Sequence, residues 1–271
     1  MTTATTSATA EKPRKTDVFE GLDPAVRSRT KTMLMSFIVF AIVMLFAGLT
    51  SAYIVSNMGA FWVHVNAPAA LWVSNALIVL SSATLWWATR ATRAGQRNNA
   101  LIAMGLTLLL GIGFTISQAE AWNSLREMGM GWSVSDADNG LKAYRWNSIE
   151  ALVDGPAEYG TDFTVLSNNV PLLFNPNTGD FYAPDDKLMA EPITRDVTHT
   201  SNSGGAYIWA LIGIHILHLV FGFIYLVVNG IRLFQGTIHT GDTVRLKALG
   251  IYWHFMGLLW LYLFAFLFFV Y

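Results

Sequence analysis

Two histidines three residues apart, His215 and His218 in "GIHILHLVFGF", stand inside a run with no charged residue from 197 to 231. At that spacing they share one helix face. If the helix starts near residue 206, they lie roughly 13–18 Å along it at 1.5 Å per residue. Two imidazoles on one face are a possible ligand set for haem or copper. Against this, one helix supplies both, and no other histidine is expected at the same depth. The alternative is two neutral imidazoles bonded to facing helices. His254, in "GIYWHFMGLLWLYLF", is also inside an uncharged run, nearer the inner surface. Glu120, in "FTISQAEAW", lies near the outer end of another. Its carboxylate is either a proton or cation ligand, or a group bonded at the interface beside Gln118 and Trp122. Ionisable groups within a membrane are costly, which makes each of them a functional candidate.

The elements that must position these groups are long apolar helices. Of 271 residues, 53% are hydrophobic and 13% charged, where a soluble domain has about 25% charged. No Asp, Glu, Lys or Arg occurs in 32–89, 98–119, 197–231 or 248–271. A helical crossing needs about 20 apolar residues. The first gap is long enough for two, broken at "SNMGAFWVHVNAP", where Asn57, Gly59, Asn66 and Pro68 form turns. The pattern predicts an all-α membrane protein, a bundle of five transmembrane helices at 33–55, 69–88, 100–122, 206–231 and 246–271. Within them, Ser81, Ser82 and Thr84, and Gly111, Gly113, Gly213 and Gly222, are of the types that pack helix against helix.

Lys and Arg set the orientation. They cluster before the first span, between the second and third, and between the fourth and fifth. With five crossings these segments share one side, so the N-terminus is expected inside and the C-terminus outside. Arg90, Arg93 and Arg232 stand at inner helix ends, where arginine either obeys this charge rule or holds an anionic lipid head group. The organisation expected is an inner N-terminal segment, 1–31, polar and disordered; helices one to three, 32–124; an outer loop, 125–205; and helices four and five, 206–271. The N-terminal segment does not read as a secretory signal. The loop is proline-rich and net acidic, with short strands expected at "DFTVL", "VPLLF" and "DFYAP". A loop of that length is unusual and suggests a docking surface. No cysteine is present, which excludes disulfides, thiolate metal sites and c-type haem attachment. A net charge of −1 offers no basic surface for nucleic acid.

Five segments, in order, resemble subunit III of haem–copper cytochrome c oxidases. Tyr252, Trp253, His254, Phe255 and Trp260 are similar to its last helix. Phe46, Gly48, Ala52 and Tyr53 resemble its first core helix; Asn75, Ser82 and Trp87 the next; Phe114, Gln118 and Ala119 the third. His215, His218 and Gly222, with Arg232 after them, resemble the fourth. The resemblance implies a bacterial inner-membrane subunit with no catalytic residue, haem or copper of its own. Haem and copper would lie in partner subunits I and II, against which it would pack. It would hold phospholipid in a helical V and support oxygen reduction coupled to proton pumping, with a possible role in oxygen access. His215, His218, His254, Gln118, Glu120, Trp253 and Trp260 then become structural polar groups or subunit contacts, and Arg232, Arg90 and Arg93 lipid-binding groups. Three features depart from the family: Ile42 and Gly257 replace frequent carboxylates, and the outer loop is long enough to suggest a periplasmic or supercomplex partner. The rival readings are the related five-helix subunit of nitric oxide reductase or quinol oxidase systems, and a small independent transporter.

Overall fold

The structure is a computed structural model that describes residues 23–56, 61–127, 132–136, 142–146, 149, 156–199, 204–236, 238 and 243–269. The polar segment before residue 23, His239 and much of the stretch between 128 and 155 lie outside the described residues, as do residues 270–271.

Five helices are long and apolar enough to cross a membrane: α1 (Pro24–Ser56), α2 (Ala69–Arg93), α3 (Arg97–Glu127), α5 (Gly204–Phe234) and α6 (Val244–Phe269). A short α4 (Thr194–His199) precedes α5. The chain is thus a multi-pass helical membrane protein. α1, α2, α3 and α5 outrun the apolar segments that announced them, and α6 starts two residues early. The difference is largest in α1, where 24–31 are helical rather than part of a disordered tail. Asp23 explains the start. Its Oδ1 accepts the Ala25 N–H at 2.9 Å, and Pro24 holds the first helical position, where a missing N–H costs nothing. Between α2 and α3 the chain reverses through Gly95 at φ 76°. Gln96 N donates to Ala91 O at 3.0 Å and Gly95 N to Thr92 O at 3.1 Å, a glycine-capped helix end.

The last helix is the centre of the bundle. α6 touches α1, α2 and α5, while α3 packs on α2 and α5. In its most apolar stretch 61% of α6 is buried, against 11% for α1. α1 therefore lies at the rim, with Phe37, Phe40 and Met44 exposed.

The segment between α3 and α5 carries more order than a connection requires. The turn after α1 contains a strand, β1 (Trp62–Val65), which pairs antiparallel with β4 (Phe163–Ser167), Val63 opposite Val165. β4 continues into β5 (Val170–Pro171) through Asn168 and Asn169, both at positive φ. That is the asparagine-favouring geometry of a two-residue hairpin. β6 (Leu173–Asn175) and β7 (Asp180–Tyr182) form a second hairpin. β2 (Trp132–Asp136) and β3 (Lys142–Trp146), not anticipated from sequence, form a third. Tyr159 knots the cap: its hydroxyl donates to Leu172 O at 2.8 Å, and its ring lies 5.0 Å from Phe174 and 5.5 Å from Phe181. The apolar core of this cap runs without a break into the adjoining half of the bundle. Trp62 meets Tyr53 edge-on at 5.1 Å, and Tyr53 in turn meets Phe266 at 5.2 Å.

Candidate functional site

The polar groups of the spans gather along seams around α6 and between α2 and α3. Trp253 is 1% exposed. Its indole N–H donates to Ser81 Oγ of α2 at 3.1 Å, and its ring meets Phe223 of α5 edge-on at 5.4 Å. Two glycines let it sit there. A Cβ on Gly111 would fall 2.9 Å from the Phe223 ring and 3.3 Å from Trp253, and one on Gly222 3.1 Å from Tyr252. Tyr252 donates its hydroxyl to His218 O at 2.8 Å, fastening α6 to α5. Gly213, also read as a contact glycine, has no neighbour near its would-be side chain.

His215 and His218 are each wedged against a different helix. The His218 ring lies 6.1 Å from Phe46 of α1, and its Nδ1 is 2.8 Å from Ile214 O. Its bond goes back to its own helix and not to a facing one. His215 is 2% exposed and lies 5.2 Å from the Trp260 ring. Neither of its ring nitrogens, nor Trp260 Nε1, has a hydrogen-bond partner among the described residues. Within this chain the spacing places them on one face, and the surfaces they meet there are aromatic. Among the described residues no three His, Asp or Glu side chains are grouped to hold a metal ion. His254 is half-buried beside Gly250 of its own helix.

The α2–α3 seam is closed by short polar bonds. Gln118 Nε2 donates to Ser74 Oγ at 2.7 Å, Ser117 Oγ to Ala70 O at 2.8 Å, and Thr84 and Thr107 share a 2.8 Å bond. Glu120 does not join it. Its side chain is exposed, whereas Gln118 is buried. Ile42 is buried among Phe46 and Tyr53 in the main core. A Cβ on Gly257 would lie 3.3 Å from Ile78 Cγ1 and 3.4 Å from Ser82 Oγ.

At the arginine-rich end, the Arg90 guanidinium lies over the Trp86 ring at 5.5 Å, with Arg93 exposed in the same last turn of α2. Arg232 is half-buried in the last turn of α5. Two residues escaped the sequence reading as contacts. Arg97 donates to Phe234 O, tying the start of α3 to the end of α5. Asn229, fully buried, donates its amide to Tyr225 O at 2.7 Å. An asparagine inside an apolar run was the available signal.

Comparison with known proteins points the same way. Residues 16–144 match the family model of cytochrome c oxidase subunit III, a stretch that contains α1, α2 and α3 and ends before α5 and α6. Over 61 residues the chain is 34% identical to the cytochrome c oxidase subunit 3 of wheat, Triticum aestivum. That alignment spans 22% of this chain and 23% of the wheat protein, so it covers under a quarter of that relative's length. With five apolar helices in place, the stretch that holds the first three is similar to the cytochrome c oxidase subunit III family.

Proposed function

We propose that this chain is the non-catalytic third subunit of an aerobic terminal oxidase of the cytochrome c oxidase type, in a bacterial cytoplasmic membrane with its N-terminus inside. The observation that carries the reading is the family match across the first three spans. In it, haem and copper belong to subunits I and II, and this chain supplies a packed helical wall beside them. Its interior suits that role. Trp253, Gln118 and Tyr252 direct their polar atoms at neighbouring helices of the same chain. Ile42 and Gly257 offer no buried carboxylate, and Glu120 is exposed at a helix end. A relay of protons through carboxylates of this chain has no residues to run on among the described spans. The contribution to pumping is then mechanical: it shields and braces the catalytic subunit.

Arg232, Arg90 and Arg93 are proposed to hold lipid head groups at the inner surface, since guanidinium binds phosphate bidentately. The β-structured cap is proposed to dock a further subunit or a periplasmic partner, because a folded domain presents a fixed surface at little ordering cost. The test is affinity purification of this chain from its native membrane in mild detergent, with mass spectrometry of the proteins that co-purify. Subunits I and II of a cytochrome c oxidase are expected. Recovery with a nitric oxide reductase, or of the chain alone, would overturn the assignment.

A further inference from the structure

Buried polar atoms with no hydrogen-bond partner among the described residues gather at one level of the bundle. They are Asn75 Oδ1 of α2, Gln118 Oε1 of α3, both ring nitrogens of His215 of α5, and Trp260 Nε1 of α6. Gln118, His215 and Trp260 are each 2% exposed. Their neighbours fix the level. On α2, Trp72 meets Phe264 at 5.0 Å, and Ile78 lies against Gly257. Asn75 stands midway between Trp72 and Ile78, on the same stripe of α2, as Trp260 stands between Gly257 and Phe264 on α6. The Trp260 ring lies 5.2 Å from His215 and 5.8 Å from Phe114. Gln118 is one turn along α3 from Phe114, on the same stripe, and its Nε2 reaches Ser74, the residue next to Asn75. Four helices thus each bring a polar group to within about one helical turn of depth, roughly 5.4 Å.

The set cannot satisfy itself. Ser74 Oγ already donates to Leu71 O at 2.8 Å, so Gln118 must present its nitrogen to Ser74 and its oxygen is left over. A neutral imidazole supplies one donor and one acceptor. Acceptors therefore outnumber donors, and no two of these atoms are hydrogen-bonded to each other. A buried polar group left without a bond costs more than a made bond returns. No carboxylate or cationic side chain belongs to the set, so nothing in it would hold an ion. The ligand it calls for is neutral, small, and able both to donate and to accept, which describes water.

We infer that this level of the bundle is an internal water site, where bound water accepts from the Trp260 indole and donates to the amide oxygens of Asn75 and Gln118, with His215 as the fourth partner. It joins α2, α3, α5 and α6 at this level, as the direct bond from Trp253 to Ser81 joins α6 to α2 two turns along α6. The site rests on the packing of the helices and not on the subunit assignment, so either can fail alone.

The experiment is X-ray radiolysis of the protein purified from its native membrane with its partners attached. Hydroxyl radicals made from a bound water attack the side chains that hold it, whereas radicals from bulk water do not reach a buried group. Mass spectrometry reads the oxygen added at each residue. Trp253 is the control, 1% exposed with its N–H taken by Ser81. Because a buried water stays in contact with its polar partners, oxygen uptake at His215 and Trp260 is expected to be about tenfold faster than at Trp253. An Asn75→Leu/Gln118→Leu variant should bring both down to the Trp253 rate. Should that variant fail to assemble, irradiating the natural protein frozen, where bulk radicals cannot diffuse, decides the matter: labelling at His215 and Trp260 should persist. Labelling no faster than at Trp253 would show a dry contact and overturn the site. Labelling unchanged in the variant, or abolished by freezing, would overturn it too.

Discussion

Ser81→Ala should cost more than its size suggests, and the cost should vanish when Trp253 is also changed. Ser81 Oγ stands between two groups. It donates to Ile78 O at 2.8 Å and accepts from Trp253 Nε1 at 3.1 Å. Ser81 is fully buried and Trp253 nearly so. Removing the hydroxyl strands an indole N–H away from water, which costs about 1–3 kcal/mol. The Ile78 carbonyl loses only a second bond. Trp253→Phe works in the opposite direction: Ser81 keeps its bond to Ile78, and the loss is one hydrogen bond plus the space vacated beside Phe223, roughly 1–3 kcal/mol. In the double variant no donor is stranded, so its cost should nearly equal that of Trp253→Phe. The coupling is then about 1–3 kcal/mol. Equilibrium unfolding in mixed micelles, followed by helical circular dichroism for the four proteins, measures it. Costs that add to within about 0.5 kcal/mol would refute the pairing.

Gly257→Asp should destabilise strongly, since its Cβ would press on Ile78 Cγ1 at 3.3 Å and a carboxylate would enter the core. About 1–3 kcal/mol comes from overpacking alone, whereas Gly257→Ala should stay within about 1 kcal/mol of neutral as helix propensity offsets the contact. Equal stability of the two in the same titration would contradict this. Tyr159→Phe removes the donor to Leu172 O and should cost about 1–2 kcal/mol, read as faster hydrogen exchange in β4 and β5; unchanged exchange would count against it. Burial holds the His64 imidazole below the usual histidine range, so as pH falls the unfolded strand, near pKa 6.5, takes a proton first. The cap should keep its full stability above about pH 6.5 and lose some below it. Intrinsic-rate-corrected exchange of the β1–β4 amides should accelerate from about pH 7 to about pH 5, and His64→Phe should flatten that slope; identical slopes would sink the argument.

The charge-free runs made the spans legible, because a long apolar helix satisfies its backbone hydrogen bonds within one segment in lipid. Their ends were less so. Hydrogen bonding in a helix does not stop where the hydrocarbon stops, and the Asp23–Pro24 start and the Gly95 stop had to be read as capping chemistry. β1 was hidden for another reason. "FWVHV" looks like a turn between helices until β4, far along the chain, supplies its partner, and pairing at that separation leaves no local mark. The site shows the same limit. Ser81, Thr84, Gly111 and Gly222 are of the right types for helix contacts, and they are at contacts. The periodicity of α5 put His215 and His218 on one face, but periodicity says nothing about the neighbour. Trp260 and Phe46, and not polar partners, met them there.

The proposed function puts this chain in an oxidase whose redox centres all lie in other subunits. The direct measurement is to purify the complex through this chain, strip the chain off with stronger detergent, and record the reduced-minus-oxidised spectrum and copper content of both fractions. The account predicts a haem- and copper-bearing complex, all of whose haem and copper stay with the remainder, the released chain giving no Soret band. Haem or copper leaving in proportion with this chain, or a purified complex without haem, would contradict it.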